Sequence, residues 1–164
     1  MYDIIRSGLS EAVPFAKYLG IELLDVGDGF ASARLVLRRD VSNHLGTMHA
    51  GALFTLAETA SGAAMTGAFI DMIGGLRPVT AEAKISYMKL ARGTVSCTAT
   101  ISEPADALRR RLRAEHKVVF DVLVDLFRED GQPVATMRVA WNVRYVPPEQ
   151  VIDGADGRIA AGNP

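Results

Sequence analysis

Cysteine and histidine are scarce in this chain of 164 residues: Cys97 is the only cysteine, and His44, His49 and His116 are the only histidines. A single cysteine excludes a disulfide within the chain and a thiolate zinc cluster. His44 and His49 lie five residues apart with no further ligand cluster, so no metal site is expected. No Gly-rich phosphate loop follows a strand pattern, and Ser61 lacks the elbow motif of a serine hydrolase. An excess of either charge is also missing. Eighteen basic and nineteen acidic residues leave a net charge of −1, so nothing draws the chain as a whole to nucleic acid or to an anionic membrane. The start, MYDIIRSGLSEAVPF, lacks an apolar run after a basic segment, and a cytoplasmic location is the expectation.

What is present is an ordinary globular composition, 49% hydrophobic and 23% charged. Residues 1–146 read as a single domain, and 147–164, rich in Pro, Gly and Asp, read as a loose tail. Between Leu45 and Leu76 there is no Lys or Arg, and the only acidic residues are Glu58 and Asp71. Small residues dominate that stretch and a carboxylate sits mid-span, so the pattern is a buried core helix from His49 to about Ile70 rather than a membrane span. A short helix is expected over Ser10–Leu19, and another over Pro104–Lys117, where proline opens the first turn. Strands are expected over Ile21–Val26 and Phe30–Arg38 around Gly27-Asp28-Gly29, and over Val79–Met88, Thr94–Ile101, Val118–Phe127 and Val134–Tyr145. In Val79–Met88, period-two alternation sets Ala81, Ala83, Ile85 and Tyr87 against Thr80, Glu82, Lys84 and Ser86. Half-apolar antiparallel strands and an all-round buried helix define an α+β fold in which the sheet curls around the helix.

The chemistry concentrates in NHLGTMHAGALFTLAE, Asn43–Glu58. A polar loop runs into a helix start at His49-Ala50-Gly51, where small residues let a ligand approach backbone N–H groups that have no intrahelical partner. Those donors, backed by the helix dipole, suit a developing oxyanion. Glu58 is the only charge on the apolar helix. Burial raises a carboxylate's pKa, as a general base requires. Ala50 and Glu58 are eight residues apart, roughly 12 Å along a helix axis. They cannot both touch one carbonyl within a chain, so a two-fold dimer with composite sites follows.

These residues resemble the hotdog-fold acyl-CoA thioesterases of the phenylacetic-acid-pathway type, over roughly Gly20 to Tyr145. In that family an asparagine or glutamine lies six residues before the histidine of a His-Gly-Gly turn and an acidic residue nine after it; Asn43, His49 and Glu58 stand in this register. The stretch VTAEAKISYMKLARG resembles the family's following strand and turn. The resemblance implies hydrolysis of an acyl-CoA or other acyl thioester, with coenzyme A as part of the substrate and no separate cofactor. It implies that Glu58 activates water or attacks the thioester, and that the Ala50 N–H polarises the carbonyl. Asn43 and His49 would hold the loop and help place water or substrate, Thr80 would supply a hydroxyl near the acid, and Gly51, Glu82 and Tyr87 would meet substrate. Lys89 and Arg92 are candidates for the coenzyme A phosphates on charge alone. A homodimer or homotetramer is expected, with no nucleic-acid or membrane partner.

Two departures stand out. His-Gly-Gly is His-Ala-Gly here, so a positive φ at Ala50 would be strained. The segment with Arg109, Arg110, Arg111 and Arg113 is longer than the tight turn usual at that point, and reads either as phosphate contacts or as a solvated helix face. Rival readings are a non-catalytic acyl-CoA-binding module and a hydratase or dehydratase. Cys97 alternates with Val95 and Ala99 toward the core and is expected to pack rather than react.

Overall fold

The computed structural model describes residues 1–147; all but the first residue of the tail expected over 147–164 lies outside them. The elements run α1 (Tyr2–Ala12), α2 (Pro14–Leu19), β1 (Glu22–Gly27), β2 (Phe30–Leu35), α3 (Ala50–Ala68), β3 (Leu76–Tyr87), β4 (Val95–Ile101), α4 (Ala105–Glu115), β5 (Lys117–Arg128) and β6 (Pro133–Tyr145). All six strands form one antiparallel sheet in the order β1-β2-β4-β5-β6-β3. The sheet curves around α3, which is the hotdog arrangement. The driving force is the alternation: Val118, Phe120, Val122, Val124 and Leu126 of β5 and Val139, Trp141 and Val143 of β6 are buried toward the helix, while Val119 and Leu123 face out.

Small residues let α3 sit this close to the sheet. Ala57, Ala60, Ala64 and Ala68 are fully buried. A Cβ at Gly67 would lie 2.1 Å from the Gly27 carbonyl oxygen, so only glycine fits where the helix crosses the β1–β2 turn. Cys97 packs in the core, and burial pushes its thiol up to about 12, which leaves it inert as a nucleophile.

Several boundaries differ from the sequence expectation, among them β2, which ends at Leu35 rather than Arg38. The single helix over Ser10–Leu19 is two helices, α1 reaching back to Tyr2 and α2 starting at Pro14. Proline sits in the first turn of α2, and the preceding Val13 is extended, as the proline ring requires. The apolar positions Ile5, Leu9 and Ala12 carry the helical period of α1. Strand β3 begins at Leu76, three residues earlier than expected, after a 3-10 turn over Ile70–Gly75. It also breaks its own alternation: Thr80 pairs with Trp141 and Glu82 with Ala140, leaving Ala81 as a bulge. The extra residue moves Thr80 onto the same face as Ala83, Ile85 and Tyr87, and leaves Glu82 and Lys84 on the other.

Two of the four arginines of the arginine-rich segment, Arg109 and Arg111, serve the fold, while Arg110 and Arg113 are exposed. On α4, Leu108 and Leu112 are fully buried. Arg109 donates to Asp28 of the β1–β2 turn (2.7 Å), to Asp106 (2.6 Å) and to the Ala68 carbonyl at the end of α3 (2.7 Å). Arg111 donates to Glu103 and to the Val119 carbonyl. These bonds tie α4 to the sheet and neutralise the C-terminal end of the central helix.

Candidate active site

The loop before α3 is organised by Asn43. Its side-chain oxygen accepts from the backbone N–H of Leu45 (2.9 Å) and Thr47 (3.1 Å), and its amide donates to the Thr47 hydroxyl (2.9 Å). His49 is the N-cap, its Nδ1 accepting from the Gly51 N–H at 2.9 Å. Asn43 and Gly51 are thereby committed to the loop and the cap. The Ala50 N–H, first in the helix, has neither an intrahelical partner nor another one among the described residues. Its backbone is unstrained: His116 is the only non-glycine with positive φ among the described residues. The methyl group of His-Ala-Gly therefore leaves the donor in place. Tyr87 closes this end by donating its hydroxyl to the Ala50 carbonyl at 2.9 Å.

Two turns further along, Glu58 is half-buried. Burial raises its pKa above the ordinary carboxylate value, and a hydrogen bond from the Thr80 hydroxyl (3.3 Å) partly offsets that rise. The β3 bulge is what brings Thr80 to it. Glu58 opens into a cavity of about 290 Å³ whose walls include Leu9, Val13, Leu23, Pro78 and Trp141. Trp141 is held by donating its indole N–H to Ser61 (3.3 Å), which in turn donates to the Glu58 carbonyl (2.7 Å).

Thr59 joins the same cavity, and its buried hydroxyl has no partner among the described residues. A buried hydroxyl without a partner is costly, and this one lies beside the cavity with less than 1 Å² of its oxygen exposed. The sequence reading missed Thr59, because nothing in the pattern separates it from other small residues on α3. It also missed the α1 residues at the cavity, although their helical spacing was readable.

Of the residues singled out from sequence, Glu58 lines the cavity and is met there by the hydroxyl of Thr80. Ala50, His49, Gly51 and Tyr87 gather at the helix start, beside the 88–94 loop, whose Ala91 carbonyl accepts from Met48 N–H at 2.8 Å. That loop carries Lys89, which donates to Gln132 (2.9 Å), and Arg92, which is exposed. Glu82 is not brought to either group. It lies on the outer face of the sheet, paired with Arg138, which also holds Asp121; the bulge at Ala81 put it there. His44 and His116 are on the surface.

A curved antiparallel sheet around a long central helix defines a hotdog-fold protein. The chain belongs to the family described as a domain of unknown function, DUF4442, whose model matches residues 2–143. Solved structures share the fold. A Pseudomonas aeruginosa protein described as a probable thioesterase is 24% identical, with a TM-score of 0.76 over 88% of this chain and 95% of that one. A Haemophilus influenzae thioesterase is 17% identical, with a TM-score of 0.70 over 90% and 92%. Escherichia coli PaaI, from the phenylacetic acid degradation operon, is 22% identical, with a TM-score of 0.61 over 85% and 89%. No curated protein matches the chain. No helix among the described residues is long and apolar enough to cross a membrane.

Proposed function

We propose that the protein hydrolyses acyl-CoA thioesters, in composite sites formed by two copies of the chain. The observation that carries this reading is the half-buried Glu58 carboxylate of raised pKa in an apolar cavity, with an unpartnered N–H at the start of the same helix. The open edge of the sheet supports this pairing. β3 is a twelve-residue edge strand with Val79 and Tyr87 exposed, the kind of edge that needs a partner. The other edge, β1, is short and bulged, with α1 packed beside it. An antiparallel β3–β3 pairing about an axis near Ala83 sets Thr80 opposite the partner's Tyr87. Glu58 then faces the partner's Ala50.

In such a site a water between Glu58 and the thioester attacks the carbonyl carbon, and the Glu58 carboxylate takes its proton. Charge develops on the carbonyl oxygen, where the N–H of the partner's Ala50 and the helix dipole stabilise it. Collapse breaks the C–S bond. The thiolate leaves with the proton returned by Glu58, giving the free acid and coenzyme A. Lys89 and Arg92, beside the helix start, are suited to the coenzyme A phosphates.

The test is hydrolysis of a panel of aryl-, medium- and long-chain acyl-CoAs by the purified protein and by Glu58→Gln. Hydrolysis by the parent, abolished in the variant, is the expected result. Activity unchanged by Glu58→Gln overturns the mechanism, and tight acyl-CoA binding without turnover replaces it with a binding module.

A further inference from the structure

We infer that the acyl tail of the thioester runs out of the Glu58 cavity along α1, in an open apolar groove between that helix and the 3-10 turn that follows α3. This rests on the hydrolase reading and adds the substrate class: an aliphatic acyl group of medium to long chain, uncharged along its length. The groove has a volume of about 510 Å³, and its walls include Ile4, Ile5, Leu9, Ile70 and Ile73. No charged side chain lines it. Leu9 lines both the groove and the Glu58 cavity, so the two spaces adjoin at one side chain. Ile4 is 77% exposed and Ile73 50% exposed, large apolar surface that an alkyl chain would cover.

The groove follows one face of α1, on which Ile4, Gly8 and Ala12 recur every fourth residue. From Leu9 back to Tyr2 the helix rises about 10 Å, the reach of a medium-length acyl tail. Its floor is open because one residue there has no side chain. A Cβ added at Gly8 would meet nothing within 4 Å. A charged or hydroxylated group partway along the acyl chain would find no side-chain partner in such a lining and would be disfavoured.

Gly8 therefore gives a direct test. Replacing glycine inside a helix does not weaken the helix, so Gly8→Phe fills the groove and keeps the fold, as its circular dichroism and Tm will record. The measurement is kcat/KM for dodecanoyl-CoA divided by that for butyryl-CoA, in the parent, Gly8→Phe and Ala12→Leu. The expected result is a fall in this ratio of about tenfold or more in Gly8→Phe, and a smaller fall in Ala12→Leu. A ratio that stays the same in both overturns the groove assignment while leaving the hydrolase reading standing. If the parent hydrolyses no acyl-CoA of the aryl-, medium- and long-chain panel, the hydrolase reading fails. Calorimetric binding of dodecanoyl-CoA to the Glu58→Gln protein, with and without Gly8→Phe, then decides the groove on its own: weaker binding with Gly8→Phe supports it, and equal binding overturns it.

Discussion

At its first turn α3 carries a capped, unstrained backbone with a free N–H at Ala50 and no acid. Two turns later it carries Glu58, a hydroxyl from Thr80 and an apolar cavity, with no backbone donor to spare. The first end can stabilise an anion but carries no carboxylate, and its His49 Nδ1 is committed to the Gly51 N–H. The second can take a proton and has nothing aimed at a developing oxyanion. A helix satisfies its own N–H groups everywhere except at its start, and it tolerates a carboxylate of raised pKa only where the surroundings are partly dry. One helix therefore cannot present both groups at one point. Two copies of it, running in opposite directions, can.

Substitutions that separate the two ends sharpen this contrast. Glu58→Gln removes the base, and a fall in kcat/KM of about 10²–10⁴ is expected. The same variant should gain stability at neutral pH. Because the folded pKa of Glu58 is raised, the folded protein keeps a proton that the unfolded chain has released. Stability therefore drops as pH rises from the ordinary carboxylate value through the raised one, and stays reduced above it. Glutamine has no such penalty, so thermal melts at pH 7 should show a higher Tm and a flatter pH dependence across that window.

Ala50→Pro acts on the other end. It deletes only the N–H at the first helical position, where proline is accepted, and His49 before it is already extended with ψ 143°. Steady-state kinetics should show a loss in kcat of about 10²-fold, with the acid limb of the pH–rate profile unmoved. Thr80→Val should do the reverse. Losing the hydroxyl that lowers the Glu58 pKa moves the acid limb to higher pH, with a rate loss at high pH of only about tenfold or less. Gly67→Ala touches neither end and reports on the scaffold. Its new methyl meets the Gly27 carbonyl oxygen, and denaturant unfolding should record a loss of about 1–3 kcal/mol.

Much of the fold was legible because burial writes itself into the sequence as period. Val95, Cys97 and Ala99, or Val118 to Leu126, alternate as strands that are wet on one side, and the charge-free stretch around Glu58 could only be an enclosed helix. Glu58 and Ala50 were legible for the same reason: an isolated acid in apolar surroundings and small residues at a helix start each have a physical meaning. Position on a face was less legible where alternation failed. The bulge at Ala81 carries no sequence mark, and it alone decides that Thr80 reaches Glu58 while Glu82 turns outward to Arg138. The arginine run was ambiguous as well, since only tertiary structure places Asp28 and the Ala68 carbonyl within reach of Arg109.

The composite site is tested most directly by mixing two inactive proteins. Glu58→Gln and Ala50→Pro chains are combined in equal amounts, dissociated and allowed to reassociate, and acyl-CoA hydrolysis is measured. Half of the dimers are then mixed, and each has one site with an intact Glu58 facing an intact Ala50 N–H, so about one quarter of parental activity should return. Activity no greater than the mean of the two separate variants would place both groups in the service of one chain and contradict the account.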